Sequence, residues 1–232
     1  ELDADAAAWA ALDRYFPDPR SGGPDLQRAA AVAALEHQLA VIAGGPGTGK
    51  TRTVARLLAV LASSDGSVGG AGAGRPLEIA LAAPTGKAAA RLQEAIAAAV
   101  READPPPEVA RRLASLDART LHRLLGARRG GSTFARTASD PLPADVVVVD
   151  EVSMVSLPLM ARLLDAVRPD ARVVLVGDPH QLASVEAAIK HKFPGPVAER
   201  NIAAAREAFA LLTATRPDSP AEGKAARHAQ AV

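Results

Sequence analysis

The chain has no cysteine. That excludes disulfides and thiolate metal sites, and it fits a reducing cytoplasm. Aromatic residues make up 3% of its 232 residues, so little ring stacking is available for recognition. No apolar run approaches the roughly 18 residues of a membrane-spanning helix, and no N-terminal export pattern is visible. Charge of one sign is also missing: the formal net charge is +1, which by itself calls for no polyanionic partner. None of the five histidines has metal-ligand spacing. What is present is ordinary for a globular chain, 48% hydrophobic and 23% charged, although alanine supplies much of the apolar share. The length suits one domain with extra elements, and a start on Glu1 rather than methionine suggests a fragment.

The most informative segment is Gly44-Gly45-Pro46-Gly47-Thr48-Gly49-Lys50-Thr51, directly after the apolar run Leu39-Ala40-Val41-Ile42-Ala43. A strand, a glycine-rich loop and then a helical pattern form the setting of a phosphate-binding loop. Glycines let successive N–H groups point inward at phosphate oxygens, and the helix adds the positive end of its dipole. Lys50 is placed to reach the β- and γ-phosphates, and the Thr51 hydroxyl to help hold Mg²⁺. The pattern therefore implies a bound nucleoside triphosphate.

Along the chain, residues 1–24 read as a short helix around Ala6–Tyr15 followed by a Pro/Gly loop. Residues 26–38 read as a helix with Leu26, Ala30, Val32 and Leu35 facing inward. Residues 63–76 form a glycine- and serine-rich insertion and 78–83 a strand. Residues 87–102 are helical, with Leu92, Ile96 and Val100 on one face, and 108–116 make a shorter helix. Residues 128–139 read as a loop. The valine-rich runs 145–149 and 172–176 have the composition of strands buried on both faces of a parallel sheet. Between them 157–167 is helical, with Leu159, Leu163 and Val167 in line. Alternating strands and helices predict an α/β, doubly wound domain over 25–188, a mostly parallel sheet flanked by helices with the P-loop at its strand ends.

Asp150 and Glu151 close the first of those valine runs. An aspartate there can hold Mg²⁺ opposite Thr51, and the next glutamate can orient or deprotonate an attacking water. Acids after a strand also serve as caps of the next helix; a phosphate loop about 100 residues upstream favours the catalytic reading. The second run leads into Gly177-Asp178-Pro179-His180-Gln181-Leu182. There Gln181 either feels the γ-phosphate or is an ordinary loop glutamine.

Taken together, these segments resemble a superfamily 1 helicase of the RecD family, the alpha subunit of exodeoxyribonuclease V. The matching pieces are Gly44 to Thr51, Ala83-Pro84-Thr85-Gly86-Lys87-Ala88-Ala89-Ala90-Arg91-Leu92, Thr120-Leu121-His122-Arg123-Leu124-Leu125-Gly126, Asp150-Glu151-Val152-Ser153-Met154, and Gly177 to Glu186. The resemblance runs from about Asp25 to Ala187. It implies that the α/β domain is a P-loop NTPase (RecA-like) lobe, the motor lobe of an ATP-dependent DNA helicase, 5′→3′ on DNA, in double-strand-break repair and recombination. Its cofactors would be ATP and Mg²⁺, and its partners single-stranded or duplex DNA and the other subunits of an exodeoxyribonuclease V-like complex.

It further implies that Gln27 reads the adenine edge, although a solvated helix-start glutamine is the alternative. The nucleotide would lie on Gly44, Gly45, Pro46, Gly47, Thr48, Gly49, Lys50, Thr51 and Arg52. Lys50, Asp150, Glu151 and Gln181 would be the catalytic set, Thr51 and Asp150 the Mg²⁺ ligands, and Asp178 with Gln181 the sensor. DNA would meet Pro84, Thr85, Gly86, Lys87, Arg91, His122 and Arg123. Thr85 and Gly86 stand at a helix start, where free N–H groups favour phosphate. Lys87 and Arg91 lie one turn apart, as do Arg119 and Arg123. A solvated face is the alternative for these cations, and a packed histidine that for His122.

The resemblance ends after Ala187. Residues 189–232 read as a diverged tail with one amphipathic helix over 197–213, built on Ile202, Ala205, Phe209 and Leu212, and then a polar end. Arg216 sits in loop-like surroundings and is not assigned a role. The family's second RecA-like lobe, which supplies transition-state arginines, has no match here, so the isolated chain is expected to bind ATP·Mg²⁺ and turn it over weakly. Two alternatives stand beside this reading. One is a helicase domain of a conjugative relaxase type. The other is a nucleotide-dependent DNA-binding or assembly subunit without useful turnover.

Overall fold

The computed structural model describes residues 6–17, 25–45, 47–63, 76–103, 105–128 and 133–177, with isolated positions at 190, 195, 196 and 199. The expected tail helix over 197–213 and Arg216 lie outside the described residues.

Among the described residues, five parallel strands form one sheet in the order β1-β5-β4-β2-β3. These are β1 (Leu39–Ala43), β2 (Ile79–Ala83), β3 (Ala118–Thr120), β4 (Val146–Val149) and β5 (Arg172–Gly177). β1, β4 and β5 are buried at every position. Their alternate residues serve two separate cores, which is why they read as unbroken apolar runs rather than as alternating patterns. Ala40, Ile42, Val146, Val148, Val174 and Val176 face one core; Leu39, Val41, Val147, Val149, Val173 and Leu175 face the other.

The first core is covered by α1 (Ala6–Tyr15), α2 (Leu26–Glu36), α3 (Lys50–Ser63), α4 (Gly86–Ala103) and α5 (Pro107–Ala114). The second is covered by α6 (Leu121–Leu124), the 3₁₀ turn Val152–Met154 and α7 (Leu157–Ala166). Helices on both faces of a parallel sheet make this the doubly wound α/β fold expected for the chain. α3 is nearly submerged from Thr53 to Ala62, because α1 and α4 pack over the side that the sheet leaves open.

The inward face of α2 differs from expectation: Ala30, Ala31, Ala34 and Leu35 are buried, while Leu26 and Val32 are only half-covered. An alanine-rich helix carries little periodic contrast, and the close approach to the sheet selects the small residues. Val100 and Leu159 are likewise half-buried at the margins of their faces. At the margins of the expected loop over 128–139, two isolated antiparallel bridges form, Ala127↔Phe134 and Thr137↔Asp140.

The lower end of the sheet is tied by charge. Asp145, fully buried, accepts from Glu78 N–H at 2.8 Å and from Arg168 Nη2 at 2.8 Å. Its own N–H donates to Glu78 O and its carbonyl accepts from Arg172 N–H. One residue thus joins the entries of β2, β4 and β5. Asp145→Ala should cost about 2–4 kcal/mol, since it strands a buried N–H and breaks a buried pair. Thermal denaturation should show a Tm lowered by roughly 5–15 °C.

Arg172 is also fully buried and donates through Nη1 to Ala34 O and His37 O, capping the C-terminal end of α2. Burial pushes its guanidinium down to about 10, so it remains charged at neutral pH.

Candidate nucleotide site and sheet edge

Because every strand is parallel, the segments that leave β1, β2, β3, β4 and β5 emerge at one edge of the sheet. That edge receives the loop after Ala43, the Pro84-Thr85-Gly86 turn, the Thr120–Arg123 turn, and Asp150-Glu151. Adjacent ends are bonded directly: Gly44 N–H donates to Gly177 O at 3.2 Å, and Asp150 N–H to Ala82 O at 2.9 Å.

The loop closes on itself. Thr48 Oγ1 donates to Gly45 O at 2.9 Å, and Thr53 Oγ1 to Gly49 O at 3.1 Å. Gly49 has φ +81°, a backbone conformation that calls for glycine, and a Cβ there would stand 2.9 Å from the flexible end of the Gln27 side chain. Gln27 itself lies in the first turn of α2, whose N-cap Asp25 accepts from the N–H groups of Gln27 and Arg28 at 2.9 and 3.0 Å. Its amide reaches back to Thr48 O at 3.4 Å. The helix-start glutamine thereby becomes part of the loop wall. Its neighbour Arg28 is anchored to α1 through Phe16 O and Asp13.

Lys50, at the first turn of α3, folds its ammonium onto Gly44 O and Gly45 O, the latter at 2.9 Å. Two carbonyls hold the cation over the loop whose N–H groups would face phosphate. Thr51 follows it, half-buried. Its hydroxyl has no hydrogen bond among the described residues. Arg52 turns the other way and pairs with Glu102 of α4, so its side chain lies off the loop.

Across from Lys50, Asp150 is 7% exposed, and one of its carboxylate oxygens accepts from Glu151 N–H at 2.9 Å. Burial pushes its carboxyl above the ordinary value. The Glu151 N–H pulls it down, the Glu151 charge pushes it up, and the Lys50 ammonium pulls it down. Glu151 is exposed and adopts φ 53°, a left-handed conformation rare outside glycine, which the bond to Asp150 helps to hold. A Cβ on Gly177 would stand 2.6 Å from Val152 Cγ2, so the turn after β4 lies hard against the end of β5.

The residues fit a triphosphate with a divalent cation. A buried carboxylate held by one backbone N–H and a threonine hydroxyl with no hydrogen bond among the described residues, both at one sheet edge, offer the hard oxygen donors Mg²⁺ takes. No cluster of three or more His, Cys, Asp or Glu offers a metal site among the described residues, so phosphate and water oxygens would complete the coordination. Pro46, Asp178 and Gln181 lie outside the described residues.

Asp150 leads to a measurable trade-off. Its folded-state pKa is raised, so the ligand-free chain loses stability as pH climbs from the unfolded value through the folded one. Asp150→Asn removes that loss. Its ligand-free Tm should exceed the parent's at neutral pH, with the gap closing in acid. Its Mg²⁺-dependent nucleotide affinity should meanwhile fall, as the parent's does when acid protonates Asp150. Paired thermal scans and nucleotide titrations across pH check both.

The other sequence-selected residues occupy the same edge further along. Thr85 Oγ1 caps α4 through Ala88 N–H at 3.2 Å, and Thr120 Oγ1 caps α6 through Arg123 N–H at 3.2 Å. Pro84 is half-buried, while Thr85, Gly86, Lys87, Arg91, His122 and Arg123 are exposed. Arg119 pairs with Asp117 at 2.8 Å. His122 stands at 6.0 Å from the Phe134 ring, tilted by 45°. Lys87, Arg91 and Arg123 have no ion pair among the described residues. The strand β3, the buried Asp145 and Arg172, and the half-buried Gln93 were not singled out by sequence patterns.

The AAA domain family model matches residues 27–187. The chain is 60% identical over 167 residues to RecBCD enzyme subunit RecD of Mycolicibacterium smegmatis, covering 71% of this chain and 29% of that protein. It is 56% identical over 176 residues to the RecD subunit of Mycobacterium tuberculosis, covering 76% and 29%. It is 44% identical over 153 residues to the ATP-dependent RecD2 DNA helicase of Deinococcus radiodurans, covering 66% and 17%. The chain spans less than a third of the length of these curated relatives.

Proposed function

Since this chain belongs to the AAA-domain family, with RecD subunits among its relatives, we propose that it is the ATP-binding motor lobe of a RecD-type DNA helicase. It would act 5′→3′ in double-strand-break repair, in the cytoplasm, beside partner subunits of an exodeoxyribonuclease V-like complex. The observation that carries this reading is the glycine loop with Lys50 folded over its carbonyls and the buried Asp150 followed by Glu151, both at the same edge of one parallel sheet. No helix among the described residues is long and apolar enough to cross a membrane.

In this mechanism the loop N–H groups and Lys50 hold the β- and γ-phosphates, and Gln27 meets the base. Thr51 and Asp150 hold Mg²⁺. Bound there, Mg²⁺ would supply positive charge against the negative charge that builds as the phosphoryl group transfers. Glu151 orients the attacking water and accepts its proton. Asp178 and Gln181 report the γ-phosphate to the DNA surface. Pro84, Thr85, Gly86, Lys87, Arg91, His122 and Arg123 grip the strand by its backbone. With so few aromatics, that grip is expected to be salt-sensitive rather than stacking-driven.

The test is paired binding. A fluorescent ATP analogue and a labelled oligothymidylate should both bind, and oligonucleotide affinity should fall steeply with salt. A chain that binds the nucleotide but no single strand at any salt concentration contradicts the motor reading. It would leave a nucleotide-dependent assembly subunit.

A further inference from the structure

β3 is the weak member of the sheet. It is three residues long and, among the described residues, lies at the edge and pairs with β2 alone, through Leu81↔Ala118, Ala82↔Arg119 and Ala83↔Thr120. Its N-terminal approach is held by a side chain instead of a strand. Gln93, half-buried on α4, donates through Nε2 to Leu116 O at 3.0 Å and accepts at Oε1 from Ala118 N–H at 2.9 Å. One carboxamide thus satisfies the carbonyl of one residue and the N–H two residues on, as a neighbouring strand would. Leu116 and Ala118 also pack against the first core, so the contact is anchored from beneath.

What this joins is informative. α4 carries Thr85 at its cap, then Lys87 and Arg91. β3 runs straight into Thr120, which caps α6 and fixes Arg123 N–H. A slip or fraying of β3 would carry Thr120 and Arg123 away from the α4 cations, while the nucleotide loop after β1 would be untouched.

We infer that Gln93 is a positioning residue for strand binding: it locks the α4 segment and the β3–α6 segment into one backbone-gripping surface. This rests on the DNA-binding reading above. Gln93 touches no DNA itself. It acts through the Leu116–Ala118 backbone, and it makes the two DNA-facing segments a single rigid unit.

The experiment compares the parent chain with Gln93→Met and Gln93→Glu. Methionine keeps length and helix propensity and removes both bonds. Glutamate keeps the acceptor for Ala118 N–H but turns the donor into an oxygen facing the Leu116 carbonyl, and it provides a second variant should the first fold poorly. Labelled oligothymidylate is titrated over a salt series, and a fluorescent ATP analogue is titrated in parallel. Both variants should bind the oligonucleotide about tenfold more weakly at low salt. The slope of log affinity against log salt should become shallower by about 0.7 for each DNA phosphate that the variant no longer neutralises. Nucleotide affinity should remain that of the parent.

A folded variant with parental oligonucleotide affinity and slope overturns the inference. So does a parallel fall of both affinities with an unchanged slope, the mark of general loosening. A parent that binds nucleotide but no oligonucleotide defeats the DNA reading, and the positioning role with it. A parent that binds both, with variants indistinguishable from it, removes Gln93 alone.

Discussion

Glu151→Gln should bind a nucleotide as tightly as the parent chain and hydrolyse it about 10²–10⁴ times more slowly, the share a positioned general base contributes. The glutamate is exposed at the sheet edge, one residue beyond a buried aspartate, and no strong ion pair occupies it among the described residues. Glutamine preserves its shape and can still orient water, but it cannot take the proton. Single-turnover hydrolysis with protein in excess separates this from binding. The backbone makes a second substitution informative. Glu151 adopts a left-handed φ of 53°. In Glu151→Gly that strain, about 1–2 kcal/mol, is relieved against an unfolded-state entropy cost of about 0.5–1 kcal/mol. The glycine variant should therefore keep its Tm and lose hydrolysis. A residue kept in a strained conformation, with no stability gained, is what a functional position looks like.

Lys50→Ala should act earlier, on binding. Losing a charged partner from a desolvated phosphate site costs about 2–5 kcal/mol, roughly thirtyfold to several thousandfold in affinity. Single-strand affinity without nucleotide should be unchanged, since α4 and α6 lie at the far end of the same edge. The substitution also frees Gly44 O and Gly45 O, which now accept from the ammonium. Gly45 O still accepts from Thr48 N–H and Oγ1, but Gly44 is buried, so the fold should lose about 1–3 kcal/mol. A nucleotide titration beside a melting curve reads both. If affinity drops only because the chain unfolds, the assignment of Lys50 fails.

The legible part of the molecule was the part written in local patterns. The phosphate loop needs glycines at fixed intervals between a strand and a helix, and the valine runs need burial on both faces; both leave unmistakable traces. Once the strands are parallel, the topology alone gathers the loop, Asp150-Glu151 and the capped turns at one edge. What stayed hidden depends on contacts distant in sequence. β3 reads Ala118-Arg119-Thr120, with no apolar period, and exists because β2 and the Gln93 amide supply its partners. Asp145 and Arg172 open valine-rich strands and look like boundary charges. They are the buried ties of the sheet's lower end, offset by bonds to Glu78, Arg168, Ala34 and His37. Arg52 adjoins the loop in sequence yet faces Glu102, because a helix turns about 100° per residue. Gln27 was reachable only through family resemblance. Its amide lies against Thr48 and Gly49 of the loop, a contact between residues distant in sequence.

The most direct measurement is a crystal structure of the chain with a non-hydrolysable ATP analogue and Mn²⁺ in place of Mg²⁺, so that anomalous scattering locates the cation. The triphosphate should lie in the 44–51 loop with Lys50 swung from the loop carbonyls to its oxygens, and the anomalous peak should sit between the Thr51 hydroxyl and the Asp150 carboxylate. A nucleotide seated elsewhere, or a cation that ignores both side chains, would contradict the account.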